Sequence, residues 1–208
     1  IMAAFTLALG NWRVDKENYD RVMAGNLARE GIELIRHVRD SNWLRIDNNE
    51  ECIKPDLSTE FCTWDYYLNP VDQNHRRFLV DYDSVYQGIP ILTLSPTCMD
   101  NFTIQECIFN CDKAGNRFCR LQYDHQEVIP SNKFFFHRNL DYSHITNFKR
   151  MIGLRGICHD GAVETVSDDL DCGIDTKIGL MVTSIVGWYS FGEEYDISAV
   201  EYLYNWRR

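Results

Sequence analysis

The chain has 208 residues, 45% of them hydrophobic and 25% charged, a composition that builds one ordinary to large globular domain and excludes extensive disorder. Its net charge of −10 is unevenly spread. Residues 11–45 hold seven basic and six acidic side chains, leaving 14 basic against 25 acidic after residue 45. Phosphate neutralisation needs a basic footprint, so the acidic body argues against dedicated nucleic-acid binding.

In chain order, the first element is an apolar run, "IMAAFTLAL" (1–9), without a charged side chain. It has no basic leader and no small-residue cleavage site, so it does not read as an ordinary signal peptide. Nine apolar residues are also far fewer than the roughly 20 that span a bilayer. The run is expected to be the C-terminal end of a longer apolar helix, the remainder processed away or lying outside this sequence. Helical periodicity then continues to about residue 44, with Val22, Leu27, Leu34, Ile35 and Val38 as the apolar stripe. Glu17–Arg21, Arg29–Glu33 and Arg36–Asp40 stand at i,i+4 and are expected to pair on a solvated outer face. Such a helix would extend roughly 65 Å, more than one domain needs. Two shorter helices broken at Gly10 or Gly25 are the alternative.

"RIDNNEE" ends the helix, and short β-like runs follow, at 61–68, 77–82, 117–123, 146–157, 177–190 and 194–205. In "KIGLMVTSIVGWYS" the alternation places Ile178, Leu180, Val182, Val186 and Trp188 on one face; Phe148, Ile152 and Leu154 do the same in "NFKRMIGLRGI". No helix-length pattern separates the late strands, so an antiparallel sheet is expected. The fold class is α+β: a long N-terminal α-helix (1–45) packed on an antiparallel β-sheet in a head domain (46–208), with a cysteine-rich insertion at 46–122.

Eight cysteines stand at 52, 62, 98, 107, 111, 119, 158 and 172. An even number in short-range groups favours four disulfides and an oxidising compartment over zinc, which would want two closely spaced pairs. Local pairing suggests Cys52–Cys62 and Cys158–Cys172, with Cys98, Cys107, Cys111 and Cys119 pairing among themselves in an order the spacing leaves open.

Other chemistry is sparse. His137, Asp141 and His144 could ligate a metal but follow no fixed motif, and a solvated loop or edge strand fits them as well. Asp168, Asp169, Asp171 and Asp175 offer hard oxygen ligands of the kind calcium takes, without the spacing of a helix–loop–helix calcium site. Glu193 and Glu194 follow a strand end as glycosidase carboxylates can, yet neighbours on a strand point to opposite faces. "NFT" (101–103) has the form of a glycosylation sequon. No nucleophile elbow or phosphate loop occurs, so a non-enzymatic role without a cofactor is expected.

Three stretches carry a family resemblance. "NLAREGIELIRHVRDSNWL" (26–44) behind an apolar helix end resembles the pattern of type IV pilins and pilin-like proteins. "TNFKRMIGL" (146–154) resembles a strand of the same proteins, as do "MVTSIVGWYS" and the closing "AVEYLYNWRR". The resemblance covers residues 20–208 in order, except for 46–120. It departs at the start, where no acidic residue precedes Asp15. It implies a filament subunit, held in the membrane before assembly, cleaved by a prepilin peptidase and polymerised by an inner-membrane assembly machinery into an extracellular homo-oligomer. Ile1, Met2, Phe5, Leu7 and Leu9 would then be the filament-core contacts. A minor pilin or pseudopilin, acting as a tip adhesin or secretion component, is the alternative role.

Overall fold

The computed structural model describes residues 2–53, 59–68, 77–81, 91–94, 103–110, 120–124, 135–136, 143–167 and 170–206. Its first element, α1 (Met2–Asp47), is one unbroken helix of 46 residues, about 69 Å long at 1.5 Å per residue. Neither Gly10 nor Gly25 interrupts it, since no proline lies within it and the i→i−4 ladder needs no side chain. It ends where Asn49 turns into the left-handed region at φ 55°. There the Glu50 amide donates to the Arg45 carbonyl and the Asn49 amide to that of Ile46, the paired bonds that close a helix C-terminus around an αL residue.

The sheet is antiparallel throughout, with strand order β10-β9-β7-β3-β4. These are β10 (Glu193–Tyr204), β9 (Thr176–Ser190), β7 (Ser143–His159), β3 (Arg77–Asp81) and β4 (Ile91–Leu94). Beside β7 lie β5 (Arg120–Asp124), which also pairs β6 (Phe135–Phe136), and at its far end β8 (Glu164–Val166). A separate hairpin, β1 (Glu51–Ile53) and β2 (Thr59–Phe61), follows α1.

The expected inward faces form as predicted. Ile178, Leu180, Val182, Val186 and Trp188 of β9 are buried, as are Phe148, Ile152 and Leu154 of β7. Against them α1 lays Ala24, Leu27, Ala28, Ile32, Leu34, Ile35 and Val38, each large aliphatic group contributing about 1.5–3 kcal/mol on burial. The stripe is shifted from the expected one at a single place: Val22 is exposed. The small residues Ala24, Ala28 and Gly31 let the helix approach the sheet and fix its rotation. Val22 then stands about 200° round from Ala24, on the solvent side.

Two further expectations are corrected. The run 61–68 is not a strand: β2 stops at Phe61 and residues 64–68 form turns, with Tyr67 at φ 64°. Asn42 of α1, fully buried, donates its amide to the carbonyls of Trp64 and Tyr66, taking the backbone groups that a ladder would need. And the cysteine-rich insertion contains a short helix, α2 (Ile104–Asn110), not loop alone. Thr103 and Glu106 cap it reciprocally, the Thr103 amide donating to the Glu106 carboxylate (2.7 Å) and the Glu106 amide to Thr103 Oγ1 (3.2 Å). Cys107 and Ile108 of α2 cover Met151 and Ile185 on the face of the sheet opposite α1.

Candidate functional site

No residue of α1 before Asp20 is buried. About 27 Å of helix, residues 2–19, therefore lies outside the packed core of the head. Its exposed apolar side chains are large: Met2 (85% exposed), Phe5, Leu7, Leu9 (50%), Trp12 and Val14. At 100° per residue Met2, Phe5 and Leu9 cluster on one side while Leu7 and Val14 point to the other, so the segment is apolar on more than one face. The Thr6 hydroxyl is satisfied locally, Oγ1 donating to the Met2 carbonyl at 3.1 Å. Contiguous exposed apolar surface of this kind marks an interaction site. Ile1 lies outside the described residues. Among the described residues no helix is long and apolar enough to cross a membrane.

Where the helix meets the head, the β9–β10 hairpin reaches it. Asp20, buried, pairs with Lys16 at 3.1 Å and accepts from Ser190 Oγ at 3.5 Å. Trp12 meets the ring of Phe191 edge-on, centroids 5.7 Å apart, and the Arg13 guanidinium sits 4.5 Å from the same ring centre. Arg21 lies over Tyr195, which stacks on Trp188. From there the helix runs alongside β10 in the same direction: Arg36 meets Glu201, and Trp43 meets Trp206 at 5.6 Å.

The helix charges do more than solvate an outer face. Glu17–Arg21 forms as expected at 2.7 Å, but Glu33 pairs with Arg36, and Asp40 with Arg39. Arg36 also holds Glu201 of β10; that hydrogen bond raises its pKa above the ordinary guanidinium value, against the opposing effect of burial. Glu30 pairs at 3.2 Å with Arg150, which is fully buried and donates to the carbonyls of Leu27 and Val80, both at 3.3 Å. Arg150 thus ties α1, β7 and β3 together. Sequence reading missed it, though a Lys–Arg pair between Phe148 and Met151, inside a run otherwise fit for a buried strand, was its signal.

The remaining candidates scatter. Cys52–Cys62 and Cys158–Cys172 form as local pairing suggested. Cys107 is also disulfide-bonded, while Cys98, Cys111 and Cys119 lie outside the described residues. Of the calcium candidates, Asp171 accepts from the Gly173 amide at 3.2 Å and so serves its own turn; Asp175 is half-buried, and Asp168 and Asp169 lie outside the described residues. Among the described residues no group of three or more His, Cys, Asp or Glu side chains could hold a metal ion. His144 stands in β7 opposite Tyr123; His137, Asp141, Asn101 and Phe102 lie outside the described residues. Glu193 accepts from Tyr195 and Glu194 from Tyr189, at 2.9 and 2.7 Å. The two carboxylates are engaged separately and do not converge. No protein-family model, curated protein or solved structure matches the chain.

Proposed function

We propose that this chain is a structural subunit of an extracellular, type IV pilus-like filament that polymerises through the N-terminal part of α1. The observation that carries the reading is the division of one continuous helix: residues 20–43 bury a stripe against the sheet, while the large apolar side chains Met2, Phe5, Leu7 and Leu9 remain exposed. A helix that is apolar on several faces needs cover from elsewhere, and identical helices of neighbouring copies supply it. Each square ångström so covered contributes roughly 25 cal/mol. Contact of this kind is head-to-tail, and a rotation that does not close produces a filament instead of a ring. The resemblance in residues 26–44 and in the late strands supports the same reading. With it come a membrane-held precursor, a prepilin peptidase and an assembly machinery as partners before polymerisation. The disulfides suit a head exposed outside the cell.

Replacing Phe5 and Leu9 by aspartate tests the proposal in cells that make the protein. The expected result is loss of sedimentable filaments with the head still folded and oxidised. Filaments at wild-type yield would reject it.

A further inference from the structure

We infer that Phe191 is a positioning residue: the tip of the β9–β10 hairpin is a collar that fixes the direction in which the projecting part of α1 leaves the head. Ser190 pairs with Glu193, so the loop between them has two residues, Phe191 at φ 51° and Gly192 at φ 87°. A two-residue hairpin with both central residues at positive φ favours asparagine, aspartate or glycine at the first position and glycine at the second. Gly192 obeys that rule; Phe191 breaks it, because a bulky side chain crowds its own backbone in the left-handed region. The turn chemistry therefore does not explain a phenylalanine here.

Its contacts do. The ring reaches away from the strands to α1, where Trp12 meets it edge-on at 5.7 Å and Arg13 lies 4.5 Å from its centre. Both contacts fall N-terminal to Asp20, the first buried residue of the helix. Ser190 on Asp20 and Tyr195 beneath Arg21 flank them. Positions 13, 20, 24 and 27 lie along one helix face, so the collar continues the packed stripe for two more turns beyond the sheet. Strained residues persist where the surroundings hold them and recur at functional positions; here the strained residue grips the segment from which the apolar stub extends. The consequence for assembly rests on the filament reading above: copies that share helix contacts need their stubs presented at one angle. The collar itself does not depend on that reading.

The test is amide hydrogen exchange on the unassembled, oxidised chain, followed in residues 11–19 and 27–38. Phe191→Asn keeps a residue the turn prefers, so the head should fold at least as well. The expected result is exchange about tenfold faster in 11–19, with 27–38 unchanged, because opening free energies are local. Trp12→Ala should do the same, and the double variant should exchange no faster than either single one. Unchanged exchange in 11–19, acceleration spreading equally to 27–38, or additive effects in the double variant would each overturn the collar. Filaments at wild-type yield in the aspartate experiment would reject the filament reading and leave the collar standing.

Discussion

Gly31 of α1 rests directly on Ser184 of β9: a β-carbon added at 31 would lie 2.5 Å from Ser184 Oγ and 2.8 Å from Ile152 Cδ1. The helix approaches the sheet here too closely for any side chain, and this explains why a helix of good formers carries a glycine there. Glycine costs about 1 kcal/mol against alanine in a helix interior, so without the contact the alanine variant would be the more stable. The overlap reverses that sign. Gly31→Ala should lower unfolding free energy by about 1–3 kcal/mol, and Ser184→Gly in the same chain should recover part of the loss. Chemical denaturation of the four combinations measures both effects.

Arg150 should respond asymmetrically to changes in its surroundings. Removing its only carboxylate partner among the described residues, by Glu30→Ala, leaves a buried guanidinium with two carbonyls alone. Breaking a fully buried pair costs roughly 3–5 kcal/mol; Glu30 keeps some water, so a loss of about 2 kcal/mol is expected. Arg150→Met combined with Glu30→Ala should be less damaging than Glu30→Ala by itself. A denaturant-melt comparison of the two variants decides.

The Cys158–Cys172 bond closes a loop of 14 residues between β7 and β9. Converting both cysteines to serine should cost about 3 kcal/mol, the loop-entropy value for this size. The loss should appear as a lower midpoint of thermal unfolding. Because β7 and β9 are paired along most of their length, strand content by circular dichroism at 25 °C should not change.

Asp160 opens the β7–β8 turn, and its carboxylate accepts the amides of Val163 and Ala162, each at 2.8 Å. These bonds, led by the one from Val163, hold its pKa below the ordinary 3.8. A carboxyl depressed in the folded state stabilises the fold fully above its unfolded pKa, and that contribution disappears as pH falls through the folded value. Asp160→Ala should therefore lower the thermal midpoint at pH 7, with a penalty that shrinks below about pH 4. A penalty constant down to pH 2 would contradict the assignment.

The helix, the late strands and two disulfides were legible because each leaves a one-sided or local trace. Ile178 to Trp188 alternate since one face of β9 lies under α1, and Cys52 and Cys62 are close in sequence. The phase of the helix was less legible: Val22 looks like a core residue, but the small surfaces of Ala24, Ala28 and Gly31 decide which side approaches the sheet. The aromatic run at 64–68 has strand composition, yet a single buried amide, that of Asn42, claims its carbonyls from 22 and 24 residues away. Long-range demands of that sort leave no periodicity. The capping box at Thr103 and Glu106 was readable and passed over, since α2 is only seven residues long. At the neck, Trp12 and Phe191 are separated by 179 positions, and nothing local announces their contact.

The most direct test of assembly through α1 is electron cryo-microscopy of filaments sheared from the producing cells. The account predicts that residues 2–14 of neighbouring copies pack together at the filament axis, with Met2, Phe5 and Leu9 out of solvent and the heads outside. Filaments in which those side chains remain exposed, while the heads alone make the contacts, would contradict it.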